Sequence, residues 1–492
     1  MASIENKINH NLSLAIRNSA FGFASLACRL VGSSLIFIVI ARLPGIGVIE
    51  FGQITYAIAL SGLFIIFSEF GFNPLIIREI AAEPKRLKLY ARSVLSLRLI
   101  LSFIGFLLFF AFLKYVNIEN QGHLICVVIG IAFYLGSFSG YLQAILQSQE
   151  KMHLELLCIV VENVSMVIII LFTFFFKPNA IKIAFVFLIT KTISLIINYI
   201  VCGRFVLWVY PIFNTQIWRK LFLEALPFAL AGVITTGIVQ IDTVLLRELS
   251  MDNPELNVGL YQAAMRLFLV PMLLPQIVLK VFLPQLSRMH GNKGTGLLRN
   301  LCQVNNILFT LGLLIGLVTY FRGNDLVYFF YGEKLADAGP LLKVLGITIM
   351  MRFGAAYNLY FTIRNRIWFR VWTGIVGLFA VILFNFLLIP KFGVMGVAYA
   401  SVASHIVYWL PWLIAIYKYE KTIWLGWRIL PALISFIILI SFLYATSHFS
   451  LFYMLPVYSL VVCLLTFFTI PSVERSKIIS QYTIRGACSN VK

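Results

Sequence analysis

AAMRLFLVPMLLPQIVLKVFLPQLSR, Ala263 to Arg288, is apolar enough for lipid, yet it holds Arg266, Lys280 and three prolines, Pro271, Pro275 and Pro284. An apolar run of more than about 20 residues reads as a helix that crosses a bilayer. The prolines remove backbone donors and bend it. A cation at bilayer depth costs roughly 2.5–3.5 kcal/mol on insertion scales, so such residues normally face a bundle interior or a watery hollow. Two cations on one span therefore ask for a job.

The rest of the chain repeats the pattern. Its 492 residues are 61% apolar and 12% charged, whereas soluble chains are about half apolar and a quarter charged. The apolar runs are continuous rather than alternating over about ten residues, which excludes a strand barrel. The reading is an all-α polytopic membrane protein with about 14 transmembrane helices. They fall near 17–41, 53–77, 93–113, 122–146, 155–176, 182–202, 224–247, 258–283, 301–321, 338–361, 371–389, 395–417, 429–447 and 453–470. Connections are short and leave no room for a soluble domain. MASIENKINHNLSLAIRN at the start lacks a short apolar core with a cleavage site, so the first span is expected to be an uncleaved anchor. The seven cysteines form no CxxC pair and read as small hydrophobes, with no disulfide framework and no metal site expected.

The net charge of +20 is read by location, not as a sign of nucleic acid. Loops such as REIAAEPKRLKLYARS, WRKL, SRMHGNKGTGLLR, TIRNRIWFR and YKYEKTIWLGWR fall on one face with both termini. That face carries about 24 Lys and Arg against about 8 on the other, which makes it cytoplasmic. The chain also echoes itself. QSQEKMHLELL to FLITK (147–191) lies over FTIRNRIWFRV to ASVASH (361–405), with Lys177 on Lys391, Ala184 on Ala398 and Lys191 on His405. EFGQITYAIAL (50–60) lies over NVGLYQAAMRL (257–267), with Gly52 on Gly259. Six spans are an even number, so the halves share one orientation about an axis along the membrane normal. The expected architecture is two pseudo-symmetric six-helix bundles, 1–210 and 211–420, around a central cavity, with two further helices and a basic tail in 421–492. Two parallel lobes with inward charges form a transporter design, in which rocking opens the cavity to either side.

The charges inside the spans carry the chemistry. Arg266 and Lys280 are about 21 Å apart along a helix and share a face. Lys280 lies near a helix end, where snorkelling to water competes with a cavity role. Asp242 on the preceding span is a candidate partner for Arg266. Arg29 lies about 18 Å into the first span, too deep to snorkel, on a face with Gly22, Ser25 and Gly32. Small faces pack helices tightly, but a guanidinium does not pack there unpaired, so Arg29 is expected to line the cavity. Arg352 is central in its span, with Tyr360 about two turns on. Lys191 is the fifth candidate, while His405 at the equivalent repeat position reads as a satisfied core histidine. Arg98 and Lys343, near helix ends, are expected to snorkel. Intramembrane acids are fewer: Glu69, Glu162 and Asp242 are the candidates for ion coupling, and Glu69 has no cation one turn away. An excess of roughly seven cations over three anions favours an anionic ligand, and clustered guanidinium suits diphosphate.

Four fragments resemble the Wzx-type polysaccharide flippases of the multidrug/oligosaccharidyl-lipid/polysaccharide exporter superfamily. They are residues 45–81 (GIGVIEFGQITYAIALSGLFIIFSEFGFNPLIIREIA), 258–267 (VGLYQAAMRL), 326–345 (LVYFFYGEKLADAGPLLKVL) and 385–401 (NFLLIPKFGVMGVAYAS), in order and spacing. The resemblance implies a bacterial inner-membrane protein moving an undecaprenyl-diphosphate-linked oligosaccharide repeat unit, such as an O-antigen unit, to the periplasmic leaflet. It implies no cofactor beyond a proton or Na⁺ gradient, and a glycan polymerase and chain-length proteins as expected partners alongside the bilayer. In related lipid II flippases helices 1 and 8 flank a lateral portal, which would place Arg29 and Arg266 beside it. Two alternatives stand. A multidrug exporter of the same superfamily would be expected to have an acidic cavity. A glycan polymerase or acyltransferase needs convergent catalytic groups, and the longest outer loop, 322–337, has Asp325, Glu333 and Asp337 but no histidine. No HExxH, GxSxG or GxxxxGK[ST] motif occurs.

Overall fold

The computed structural model describes residues 2–116, 118–279, 296–353, 367–420, 429–446 and parts of 454–465. Among them no strand occurs. In lipid each peptide group must find its partner within its own segment, and long apolar runs therefore coil into helices. They are α1 (Ala2–Arg42), α2 (Val48–Glu69), α3 (Phe72–Ala82), α4 (Leu87–Tyr115), α5 (Asn120–Ser148), α6 (Met152–Thr173) and α7 (Ala180–Phe205). After these come α8 (Thr215–Leu249), α9 (Pro254–Leu269), α10 (Gly296–Tyr331), α11 (Gly339–Phe353), α12 (Ile367–Phe392), α13 (Val394–Glu420) and α14 (Ile429–Ala445). Where loops meet helices, short polar side chains take up free backbone donors. Asn179 Oδ1 accepts from the Lys182 amide at 2.9 Å, and Asn214 Oδ1 from the Ile217 amide at 3.3 Å.

Eleven helices among the described residues are long and apolar enough to cross a membrane, and they match the expected spans one to nine, eleven and twelve. Three details differ from the sequence reading. The first helix begins at Ala2, well before residue 17, and its 41 residues reach about 60 Å, twice the hydrocarbon thickness. The second span is broken: Phe70 (φ 35°) and Gly71 (φ 69°) are both left-handed and separate α2 from α3. A Cβ on Gly71 would lie 2.5 Å from the Ala229 amide nitrogen, so this position needs glycine for its backbone angle and for the close approach of α8. The eighth span turns at 270–272, around Pro271, and resumes as helix over 273–279. Lys280, Pro284 and Tyr360 lie outside the described residues.

Packing sorts the helices into two groups. In the first, α5 lies on α7 and α2, α1 on α6, and α4 on α2. In the second, α10 lies on α11, and α12 on α13 and α8. The groups meet where α2 crosses α8 and α9. Buried apolar side chains run through that seam, from Phe51, Ile54 and Leu60 on one side to Tyr261, Ala264 and Phe268 on the other.

The two glycines that the repeat superposes meet there. A Cβ on Gly52 would lie 1.8 Å from the Glu255 carbonyl oxygen, and one on Gly259 would lie 2.3 Å from the Val48 carbonyl oxygen. Each glycine thus faces the carbonyl four residues ahead of the other, a nearly two-fold contact of bare backbones. The same end carries reciprocal clasps between helix C-termini and cations, which suit the exposed carbonyls there. Arg42 donates to the Phe330 carbonyl at 2.7 Å, and Lys334 to the Leu43 and Ile46 carbonyls at 3.0 and 3.3 Å. Tyr56 donates across the seam to Glu248 at 2.9 Å. At the other end, the groups touch through Phe70 stacked on Phe222, centroids 4.5 Å apart, and Arg78 over the Phe228 ring. Beside these contacts α8 is exposed at Leu223, Leu226, Leu230 and Val233. Finally, Arg322 donates to the Thr446 carbonyl at 2.9 Å and to Tyr458 at 3.2 Å, pinning the last helices to α10.

Candidate functional site

α1 turns its small face onto α6. A Cβ on Gly22 would meet Met152, and one on Gly32 would meet the Asn163 amide at 2.4 Å. Asn163 in turn donates to the Cys28 carbonyl at 2.8 Å. These small residues serve close helix packing, and Arg29 sits at the edge of that contact. Its Nη2 donates to Gln143 Oε1 at 2.7 Å and to Glu155 Oε1 at 3.0 Å, while Gln147 Nε2 donates to the same carboxylate oxygen at 2.7 Å. The Arg29 side chain is 43% exposed and that of Glu155 is 3% exposed. The cation faces open space and its counter-ion is sunk in protein.

Two turns further along α6, Glu162 takes a bond from Lys191 Nζ at 2.5 Å and from Ser194 Oγ at 2.5 Å. Residues seven apart lie on one helical face, so Glu155 and Glu162 form a carboxylate row that meets one cation each.

Arg266 on α9 stands across the seam from α1. Its guanidinium carbon lies 3.7 Å from the centroid of the Phe37 ring, a cation–π contact. Its Nε has no hydrogen-bond partner, and among the described residues it makes no ion pair. The partner suggested by the sequence, Asp242, is engaged elsewhere: it accepts from Tyr261 Oη at 3.0 Å and Asn385 Nδ2 at 2.6 Å and is 5% exposed. Three helices, α8, α9 and α12, therefore converge on one carboxylate held by neutral donors. Arg352 Nε donates to His405 Nε2 at 2.7 Å, and His405 Nδ1 lies 2.7 Å from the Ser401 carbonyl. For both bonds to hold, His405 must be the neutral tautomer with its proton on Nδ1. It is the satisfied histidine that the sequence suggested, and it orients the arginine. The other side of Arg352 faces the Phe268 ring at 5.4 Å.

Glu69 ends α2, partly exposed, within electrostatic reach of Arg98 on α4. Arg98 does not snorkel. It is 0% exposed, donating to Asn73 Oδ1 at 2.7 Å and the Ser137 carbonyl at 2.9 Å, with its plane near the Phe138 and Tyr141 rings. The break after α2 is what makes room for this, because it carries Asn73 inward to meet the guanidinium. Next to it, Ser68, Ser102 and Ser137 form a hydroxyl chain with 2.7 Å links. Among the described residues no group of three or more His, Cys, Asp or Glu is placed to hold a metal ion.

Sequence reading missed Glu155, Gln143 and Gln147 around Arg29, and Tyr261 and Asn385 around Asp242. One signal was available: Glu155 and Glu162 are seven apart on one apolar span, and carboxylates at that depth call for partners opposite.

The fold, with charged side chains held by partners within its long apolar helices, defines a multi-pass membrane protein. The chain belongs to the polysaccharide biosynthesis protein family, whose model matches residues 24–290. It is 21% identical over 422 residues to the capsular polysaccharide biosynthesis protein CapF of Staphylococcus aureus, covering 83% of this chain and 100% of that one. In structure it is similar to the lipid II flippase MurJ in an inward closed conformation, with TM-score 0.67, 16% identity, and 94% and 99% of the two chains covered. It is also similar to an inward-facing multidrug resistance MATE transporter of the MOP superfamily, with TM-score 0.56, 14% identity, and 80% and 95% covered. These likenesses are of fold; the substrate is a separate question.

Proposed function

We propose that the protein is a flippase that carries polyprenyl-diphosphate-linked oligosaccharide repeat units from the cytoplasmic to the periplasmic leaflet of a bacterial inner membrane by ion-coupled alternating access. The observation that carries this reading is a set of three guanidinium groups within the spans: Arg29 on α1, Arg266 at the seam where α9 meets α1, and Arg352 on α11. Arg29 is open to space although paired with Glu155, and neither Arg266 nor Arg352 has a carboxylate at ion-pair distance among the described residues. Guanidinium groups whose charge is not cancelled attract phosphate and disfavour organic cations. The sugar and diphosphate would pass this seam while the prenyl tail stays in lipid. Lys191, neutralised by Glu162, contributes less to such a path, and Lys280 is proposed on its position in the chain alone.

Under this reading the Gly52–Gly259 end is periplasmic, the basic loops and both termini are cytoplasmic, and residues 1–210 and 211–420 are the rocking lobes. No cofactor is required. Among the candidate acids, Asp242 suits ion coupling best, because Tyr261 and Asn385 hold it and no cation stands at ion-pair distance among the described residues, which leaves that place to a proton or Na⁺. Glu162 is already paired, and Glu69 is a further candidate. A glycan polymerase and chain-length proteins would act on the product.

The test is Arg29→Ala and Arg352→Ala in a strain lacking the native gene. Surface glycan, read on gels, should be lost while membrane-inserted protein is retained. Arg→Lys at either position should keep part of the activity, limited by the lost bidentate grip. Normal glycan from both alanine variants would refute the reading.

A further inference from the structure

We propose that Glu155 is a resident counter-anion at Arg29, displaced when the ligand's phosphates bind and returning when they leave; this rests on the cationic-path reading above. A guanidinium grips an oxyanion bidentately through its Nε–Nη2 edge or its Nη1–Nη2 edge. Both edges use Nη2, which has two hydrogens. In the structure both are taken, one by Gln143 and one by Glu155. A diphosphate therefore cannot take a full fork of Arg29 until one of these acceptors lets go. Capture is an exchange, not an addition.

The surroundings suit an exchange. Arg29 is on the open side and Glu155 on the buried side, so the pair presents its cation outward. Leaving a buried carboxylate bare is costly, but Gln147 Nε2 already donates to the same oxygen and remains when Arg29 turns away. Glu162, on the same face of α6, and its partner Lys191 on α7 offer no such choice: an ammonium has no fork to free, and Ser194 shares the carboxylate with it. The Glu155 charge also opposes the ligand's charge at close range. It weakens binding and hastens departure, which a carrier needs as much as capture. Glu155 acts through Arg29 and is a positioning residue.

The test uses the full-length protein in lipid nanodiscs, with geranylgeranyl diphosphate as the probe and tryptophan fluorescence as the readout, beside surface glycan in cells. Glu155→Gln keeps the shape and removes the charge. It should bind the probe on the order of tenfold more tightly, as expected for deleting one like charge at a partly exposed site, while glycan output falls. A residue that merely supported the fold would lose both together. Glu155→Asp keeps the charge but draws it back from Nη2. It should bind with intermediate strength and stay active, and it decides the matter should Glu155→Gln melt early. If both variants bind no better than the parent while Arg29→Ala binds worse, the counter-anion idea falls and the cationic path stands. If Arg29→Ala binds the probe as well as the parent, the cationic path itself falls.

Discussion

Replacing Gly52 with alanine tests the closed seam most directly. The added Cβ would sit 1.8 Å from the Glu255 carbonyl oxygen, where real Cβ atoms keep at least 3.0 Å. The obstacle is backbone on a packed helix, not a side chain that can swing away, so α2 and α9 must part by about 1 Å or more. Overpacking of this kind typically costs about 1–3 kcal/mol. The seam would carry that cost only while closed, so the closed population should fall about 5- to 150-fold relative to the parted one. Because the contact is nearly two-fold, Gly259→Ala should act in the same sense. The measurement is the spin-label distance between exposed positions flanking the clasp, Ile49→Cys and Met251→Cys, in a background with the seven native cysteines replaced. Both alanine variants should gain a longer-distance population. A folded Gly52→Ala protein with the parent's distances would show that the glycines do not govern closure at this end.

Two further outcomes follow from named contacts. Arg98→Ala should lower stability by about 2–5 kcal/mol, since it leaves the Asn73 and Ser137 acceptors unmet and opens a void; an unchanged melting temperature in detergent would mean that the side chain reaches water after all. Asp242→Asn should flatten the dependence of glycan export on pH or Na⁺, whereas Glu69→Gln should leave more of it, and an unaltered ion response in Asp242→Asn would move the coupling site elsewhere.

How much of this was legible in the sequence depends on the distance over which each signal acts. Fold class was legible because every span carries its own apolar run, and lipid forces each run to satisfy its own backbone. The Gly52–Gly259 correspondence was legible as a repeat, but not as a contact. The break at Phe70–Gly71 was missed although FGFNP carries Gly, Asn and Pro, because membrane spans tolerate such residues and only the approach of α8 makes the turn necessary. Arg98 was misread because depth along a helix does not say which way its neighbours bend; the inward turn of Asn73 decides its burial. The partners of Arg29 were missed for a similar reason. Glu155 stands at the start of its span and looks like a boundary residue, and only the packing of α1 on α6 brings it to the guanidinium. Asp242 showed its depth but not its company, since Tyr261 and Asn385 come from different helices.

The joint after α2 has one more consequence. Phe70 is not a glycine, and a left-handed backbone costs such a residue roughly 1–2 kcal/mol. It is held at φ 35° while its ring lies flat on Phe222 of the opposite group. Were the groups to separate at that end, as the proposed cycle requires, the ring would lose its seat and the backbone its reason to stay bent. The joint is therefore cocked like a spring, with the stacked rings as its catch.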